Sequence, residues 1–384
     1  MELAKVVAEL ENKGEYWRGD SRIWIKNKKI YCEYLPKEDH PPQQLFNGNQ
    51  IKEHWTVKYN HYLRIEAPEH NLADLVSLIN SIKYPDEHVV KRAGCKVKIR
   101  DGRVVEIGEP RILYCPLAKE NYGRPACTEC AEVIPFLKRE LAGKIKEGMF
   151  TVKRKICEDK ARYTYGASEM LMDGLRTNVI DAAVVVCDGA GTVIVKRPDI
   201  VQGIGEKMTG IFRTSPHKQL ITRLEKEGAF IAFPETARID QLKGIEAAIK
   251  LGCERIAVTT ADEDSKNLKK IKEIDHQIMA LALCTTGIGE ETARMIQKYA
   301  DLVWACGSIH VRRIVGPKAW VQLGTKFPVF VLTERGFDLA KPRIMKEFSS
   351  FYNELSLDIR KKYHNCIEVD ALPVRSKDEP YPLI

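Results

Sequence analysis

The chain has 384 residues, of which 44% are hydrophobic and 30% are charged, and its formal net charge is +8. This composition supplies at least one full hydrophobic core and excludes a largely disordered chain. No run approaches the roughly 20 apolar residues of a membrane helix, and the N-terminus lacks the apolar core of a secretory signal. We therefore expect a cytoplasmic protein with no membrane partner. Because the basic excess is small and no nucleic-acid module is visible, we expect anionic small molecules rather than nucleic acid as partners.

The N-terminal region, residues 1–87, predicts a small α+β domain. Residues 22–35 alternate apolar and polar side chains across an Asn-Lys turn, which is typical of a β-hairpin. The segment NLADLVSLINSI then has the apolar spacing of a helix.

Three further regions follow this domain. Residues 88–175 predict a hairpin that turns at Asp101–Gly102 and then a connecting region that contains cysteines. Residues 176–340 predict an α/β core, and residues 341–384 predict a C-terminal helix and tail. The apolar runs of the core that we assign as strands are AAVVV, TVIV, AFIAF, RIAVTT, IMALAL, LVWAC, AWVQL and PVFVLT.

The alternation of these strands with helical segments defines the expected fold class. Parallel strands need long crossover connections, and the regular spacing of strands and helices fits βα units. We predict an open, three-layer α/β fold with a mostly parallel sheet. A closed β/α barrel is the alternative.

Three of the eleven cysteines directly follow apolar runs: Cys187, Cys284 and Cys306. The carboxyl ends of parallel strands meet at one edge of a sheet, where α/β proteins bind their ligands. We therefore expect these thiols to converge on one pocket, with His310 four residues beyond Cys306. Cys187 and Cys306 are predicted thiolate ligands or nucleophiles, and His310 is a further candidate catalytic residue. The alternative is that these thiols only pack at strand ends.

Glycines occur in two predicted loops, of which only the first directly follows a buried strand. Gly189 and Gly191 lie in the turn after Cys187, and Gly203 and Gly205 lie in VQGIG. Because glycine lets backbone N–H groups approach an anion closely, both stretches are candidates for an anion-binding loop. For Gly189 and Gly191 the alternative is an ordinary hairpin turn.

Polar side chains also recur at the predicted strand ends. Asp188 and Glu235 are candidate acid/base or orienting groups, and Thr285 and Thr286 are candidate ligand contacts. The alternative for the segment FPETARIDQ is that Glu235 or Asp240 caps the following helix.

A second group of cysteines precedes the core. Cys127 and Cys130 form a C-x-x-C pair, with Cys115 before it and Cys157 after it. Four thiolates are the ligand set of zinc ribbons and iron–sulfur clusters, so we predict a zinc or iron–sulfur site here. A redox thiol pair and purely structural thiols are the alternatives.

A series of motifs resembles a known archaeal family of unknown function, the methanogenesis marker protein 8 family. The motifs, in order, are IRDGRVVEIGEPRILYCPL, VVVCDGAGTVIV, VQGIG, FPETARIDQ, RIAVTTA, TTG, ACGSIH and LGTKFPVFV. The resemblance covers roughly residues 94–333, and CTEC lies in a variable segment of it. It implies a role in making, modifying or activating the methyl-coenzyme M reductase system or one of its cofactors.

The leading hypothesis is a maturation or cofactor-metabolism protein that binds an anionic small molecule, a cofactor precursor or a metal-bound cofactor at its strand-end loops. It leaves open whether the protein is an enzyme. The second hypothesis is an iron–sulfur or zinc scaffold that docks on a larger protein complex. A nucleic-acid-binding protein is the third and least favoured.

Overall fold

The structure is a computed structural model whose two compact units are Met1–Asp86 and Glu87–Ile384. The four-part division of the chain stays a prediction. Nowhere in the described parts of the chain does a helix have the length and apolar content needed to cross a membrane. The structure describes residues 3–18, 21–34, 55–59, 63–81, 86–113, 116–125, 127–208, 210–324 and 327–347.

The described residues of the first unit form a five-stranded antiparallel sheet and two α-helices. The sheet order is β1-β2-β3-β5-β4, and the predicted hairpin is confirmed as β2 and β3, which turn at Asn27 and Lys28 with positive φ. Its elements are α1 (Leu3–Lys13), β1 (Glu15–Arg18), β2 (Ser21–Lys26), β3 (Lys29–Tyr34), β4 (Thr56–Tyr59), β5 (Leu63–Pro68) and α2 (Leu72–Ser81).

The second unit contains the remaining strands, which form two sheets. They are β6 (Glu87–Arg92), β7 (Cys95–Arg100), β8 (Arg103–Ile107), β9 (Ala182–Cys187), β10 (Gly191–Val195), β11 (Ile211–Thr214), β12 (Phe230–Ile231), β13 (Ile256–Ala261), β14 (Met279–Leu283), β15 (Leu302–Trp304), β16 (Val321–Leu323) and β17 (Val329–Val331).

The helices of the second unit follow the apolar periodicity of the sequence. Asp240 caps the helix after FPETARIDQ, because its side chain accepts a hydrogen bond from Lys243 N at 3.0 Å. The helices are α3 (Pro116–Tyr122), α4 (Cys130–Lys146), α5 (Ala167–Arg176), α6 (Pro198–Gly205), α7 (Lys218–Lys226), α8 (Gln241–Lys250), α9 (Leu268–Ile274), α10 (Glu290–Tyr299) and α11 (Glu334–Glu347).

The larger sheet has eight strands in the order β12-β10-β9-β13-β14-β15-β17-β16. The pairs β9–β13, β13–β14 and β14–β15 are parallel, and the other four pairs are antiparallel. The sheet is therefore mixed, and the prediction of a mostly parallel sheet is not confirmed. The reason is the short links: β9–β10 and β16–β17 are joined by too few residues for a parallel crossover, so each pair forms a hairpin.

Helices cover both faces of this sheet. Val185 and Leu281 point to one face and pack in a cluster with residues of α5, α6, α7 and α11. Val184 and Ala280 point to the other face and pack with residues of α8, α9 and α10. Strands buried on both faces read as continuous apolar runs, which is why AAVVV and MALAL lack alternation. The sheet lies between two helical layers, with β12 and β16 at its ends.

The smaller sheet has four antiparallel strands in the order β11-β6-β7-β8. The predicted hairpin at Asp101–Gly102 is confirmed as β7 and β8, and both turn residues have positive φ. One side of α4 packs on this sheet through Val133, Leu137 and Leu141.

Candidate functional site

A cavity of about 510 Å³ opens where the parallel strands of the larger sheet end. Thr260 and Ala261 at the end of β13, Leu283 at the end of β14 and Trp304 at the end of β15 line it. This is the edge of an open α/β sheet at which ligands bind.

Two of the three predicted strand-end thiols meet at this cavity. Cys284 and Cys306 both line it, whereas Cys187 does not. Cys187 is 0% exposed, and its thiol donates to the carbonyl of Asp188 at 3.3 Å. Burial, followed by the charge of Asp188, raises the pKa of Cys187 and keeps the thiol protonated. His310 lies outside the lining, and the chemical roles predicted for these residues stay predictions.

The two cavity cysteines share an unusual backbone conformation. Cys284 has φ 53° and Cys306 has φ 46°, in the left-handed region that non-glycine residues rarely adopt. Arg312, almost fully buried, fixes the second turn by donating to the carbonyl of Cys306 from Nε at 3.0 Å and Nη2 at 2.7 Å. Such conformations persist where the surrounding structure enforces them, often at functional sites.

Three cationic side chains line the same cavity: Arg92, Lys144 and Lys207. Arg92 is paired with Glu140, and Lys144 donates to the carbonyl of Lys207 at 2.7 Å. The Lys144 side chain is 2% exposed. Its burial, followed by the charge of Arg92, lowers the pKa of Lys144 well below the usual value. An anion bound in the cavity would stabilise the protonated amine of Lys144.

Aromatic side chains form much of the remaining wall. Burial raises the pKa of Tyr122 and of Tyr163, so both hydroxyl groups remain hydrogen-bond donors at neutral pH. The indole N–H of Trp304 donates to the carbonyl of Tyr165 at 2.7 Å, which fixes the ring. The aromatic residues of the lining are Tyr122, Tyr163, Tyr165, Trp304 and Phe327.

Glu169 at the start of α5 organises the loop that carries Tyr163 and Tyr165. Its carboxylate is fully buried and accepts from the N–H groups of Arg162 and Tyr163, both at 3.1 Å, and from Gln202 Nε2 at 3.0 Å. The sequence contained no motif that singled out Glu169, because its partners lie on separate segments.

Asp188, a predicted acid/base residue, is buried and bonded to other parts of the chain. It is 0% exposed and accepts hydrogen bonds from Arg154 Nε at 2.8 Å and from Phe150 N. It ties the turn after β9 to the segment 150–154 and does not line the cavity. Glu235 is half-buried and also lies outside the lining.

The predicted glycine loops differ from expectation. VQGIG belongs to helix α6, because Pro198 starts the helix and Ile200 and Ile204 are buried at helical spacing. The interpretation of Gly203 and Gly205 as a loop is therefore wrong. Gly205 does line the cavity, next to Ser168, while Gly203 lets α6 approach the backbone of residues 156–157.

The other two glycines form the tight turn of the β9–β10 hairpin. Gly189 has φ 81° and Gly191 has φ 71°. A Cβ on Gly191 would overlap the carbonyl of Ala237. The group that packs closely against this glycine is therefore the protein's own backbone. Neither glycine lines the cavity, and an anion-binding role for them stays a prediction.

The substitution Gly191→Ala is expected to lower the free energy of unfolding by about 2–4 kcal/mol, since left-handed strain and overpacking add. Gly228→Ala is the matched control: its φ is 86°, but a Cβ there meets nothing within 4 Å. The control should cost only about 1–2 kcal/mol, the strain alone. Urea unfolding of the two variants measures the difference, and equal losses would contradict the predicted overlap.

Thr285 and Thr286 join the segments that follow β14 and β15 through hydrogen bonds. The Thr285 hydroxyl donates to the carbonyl of Trp304 at 2.7 Å, and the Thr286 hydroxyl accepts from Gly307 N at 3.1 Å. Neither residue lines the cavity, and their assignment as ligand contacts stays a prediction.

The described members of the predicted metal-binding group, Cys127, Cys130 and Cys157, lie in different surroundings. Cys127 is buried in the core of the smaller sheet, and Cys130 begins α4. Cys157 lies beside Asp199, and burial, then the Asp199 charge, raises its pKa. Cys115 lies outside the described residues. Zinc or iron–sulfur binding by these residues stays a prediction.

A different group of metal-ligand types is found around β6. Ligand atoms of Asp86, His88 and His217 all lie within 4.8 Å of one another. Asp86 is bonded to Glu87 at the start of β6, so its position beside His88 is a local feature of one chain segment. Sequence reasoning missed this group because His217 is far from His88 in the chain.

The fold and the cavity define a class: an α/β protein with a cationic, aromatic-walled cavity and two thiols at its strand ends. The chain belongs to the family described as "Uncharacterized protein conserved in archaea (DUF2099)", whose model matches residues 88–345. It is 35% identical over 302 residues to "Uncharacterized protein MJ0054" of Methanocaldococcus jannaschii, covering 78% of this chain and 100% of that protein.

A solved structure also resembles part of the chain. It is a chain of the F420-reducing [NiFe] hydrogenase complex from Methanosarcina barkeri, with a TM-score of 0.27 and 13% sequence identity. The match covers 57% of this chain and 85% of that chain.

Proposed function

We propose that the protein binds an anionic small molecule with an aromatic or apolar body in the strand-end cavity. Arg92, Lys144 and Lys207 would attract the negative groups, and Cys284 and Cys306 would contact the reactive part of the molecule. The thiols would serve as ligands of a metal carried by that molecule or as nucleophiles.

One observation carries this proposal: two thiols and three cationic side chains line the same cavity. Pockets that bind small molecules combine apolar walls with a few polar groups that set orientation. Cations close to a cysteine stabilise its thiolate, the reactive form. The tyrosine and tryptophan rings provide the apolar surface for the body of the ligand.

The wider role that we propose is maturation or cofactor metabolism linked to the methyl-coenzyme M reductase system. It is supported by the resemblance to the methanogenesis marker protein 8 family and by membership of a family conserved in archaea. The ligand would then be a cofactor precursor or a metal-bound cofactor, and a protein partner in a maturation complex would receive it.

The alternative is an iron–sulfur or zinc scaffold built on Cys115, Cys127, Cys130 and Cys157. Among the described residues, the group of three or more metal-ligand types that lie close together contains no cysteine. The cavity is therefore the better supported site.

Alkylation tests the cavity directly. In the native protein, iodoacetamide should modify Cys284 and Cys306, whereas fully buried Cys187 should react only after unfolding. The probe 8-anilinonaphthalene-1-sulfonate, which is anionic and aromatic, should slow both modifications about tenfold or more at saturation. Peptide mass spectrometry after timed quenching measures each rate.

Cys157 provides an internal control, because it is half-buried and outside the cavity. Its rate should be the same with and without the probe. If the probe failed to slow Cys284 and Cys306 selectively, the cavity would not be the anion site that we propose.

A further inference from the structure

We propose that Asp86, His88 and His217 bind a divalent metal ion of the zinc class. Their potential ligand atoms all lie within 4.8 Å of one another, so small side-chain rotations would bring all three to the zinc–ligand distance of about 2.0–2.2 Å from one ion. Two imidazole nitrogens and one carboxylate oxygen are a donor set that zinc favours, with water in the fourth position. None of the three residues lines the strand-end cavity, so this site is separate from the one proposed above.

The surroundings of His88 prepare its ring for a metal. His88 in β6 pairs opposite Thr214 in β11, and its Nδ1 lies 2.6 Å from Thr214 Oγ1. The same oxygen accepts from Gly189 N at 2.7 Å. Because a hydroxyl oxygen can accept two hydrogen bonds, His88 can donate from Nδ1–H and keep a lone pair on Nε2 for the ion. An orienting hydrogen bond of this kind is usual for histidine ligands.

The position of His217 is also set by the chain around it. His217 precedes α7, and its N–H donates to the carbonyl of Gly189 at 2.8 Å. A Cβ at position 189 would lie 2.6 Å from His217 Nδ1, so glycine leaves room for the ring. The two imidazole rings are 5.1 Å apart between centroids and nearly perpendicular, at 83°. Gly189 therefore supports this histidine pair.

The burial of the pair indicates what the ion would do. His88 is 0% exposed and His217 is 6% exposed, so neither ring can be an incidental surface chelator. An ion bound to both would connect β6 with the start of α7, which are far apart in the chain. Binding to the folded state alone stabilises that state by mass action. We therefore assign the site a stabilising role.

Zinc titration of the full chain tests the site. After chelator treatment and dialysis, calorimetry with Zn²⁺ should show one site per chain, and saturation should raise Tm by roughly 5 °C or more. His217→Ala should weaken binding at least about a hundredfold and remove the Tm increase. His276→Ala is the matched control, because that histidine is 80% exposed, and it should change neither quantity.

Cobalt substitution keeps the test independent of how the variants fold. Co²⁺ bound to the unmodified protein should give d–d absorption bands without a thiolate-to-cobalt charge-transfer band, as expected for nitrogen and oxygen ligands. A strong charge-transfer band would instead assign the metal to cysteines and overturn the proposal. Absence of stoichiometric binding, or binding unchanged in a folded His217→Ala protein, would also overturn it.

Discussion

Asp188→Ala is expected to lower the free energy of unfolding by about 3–5 kcal/mol, one of the largest effects that the structure predicts. The carboxylate is fully buried and paired with Arg154, whose side chain is 5% exposed. Removing the carboxylate leaves a guanidinium charge without its counterion inside the protein, and it removes the acceptor for Phe150 N. Chemical denaturation followed by circular dichroism measures the loss.

Asp159→Ala is the matched control for this substitution. Asp159 pairs with Arg176 at 3.4 Å, and its side chain is 82% exposed, so solvent screens the pair. The control should change the free energy of unfolding by about 1 kcal/mol or less. An Asp188→Ala protein with unchanged stability would refute the anchoring role and restore Asp188 as a candidate acid/base group.

Lys144→Met is expected to weaken binding of an anionic probe in the cavity by roughly 10- to 100-fold, the loss of one charged hydrogen bond. The same variant should unfold at an equal or higher temperature, because burial destabilises the lysine charge. Loss of binding together with retained stability is the pattern expected of a functional residue. Lys243→Met is the control for net charge, since Lys243 is exposed and pairs with Glu246 at 2.8 Å.

The pH dependence of Lys144 has a defined sign. Its pKa is below the ordinary 10.5 in the folded protein, so the unfolded chain binds this proton more tightly. The buried charge lowers the free energy of unfolding by its full amount at pH values below the lowered pKa. This cost disappears as pH rises towards 10.5. The stability advantage of Lys144→Met should therefore shrink across that interval.

Probe affinity should also fall as pH rises, because an anion favours the protonated amine. Fluorescence titration at several pH values measures this trend in the parent and in Lys144→Met. An equal pH dependence in both proteins would show that another group controls binding.

The fold could be predicted from the sequence where the pattern is local. The Asp101–Gly102 turn predicted the β7–β8 hairpin, and the apolar runs located β9, β13 and β14. The direction of the strands could not be predicted in the same way. The apolar runs of the sheet resemble parallel strands, but short links make β10 antiparallel to β9 and β17 antiparallel to β16, and β17 is also antiparallel to β15. The VQGIG segment was wrongly predicted to be a loop, because its two glycines occur within a buried helix.

The candidate site could be predicted only where it depends on strand ends. Cys284 and Cys306 follow strands and do reach the cavity. Arg92, Lys144 and Glu169 reach it from distant segments, and no local pattern connects them. The histidine pair depends in the same way on pairing between β6 and β11, which the sequence did not indicate.

The pairing of β6 with β11 also has a consequence for synthesis on the ribosome. Thr214 follows its partner His88 by 126 positions. At about 5–20 residues per second, roughly 6–25 s pass between the emergence of the two strands. During that time the β6 edge has unpaired backbone groups, which invite pairing with other chains. Completion of this small sheet therefore waits for the synthesis of β11, and slow translation would prolong the interval in which nascent chains can aggregate.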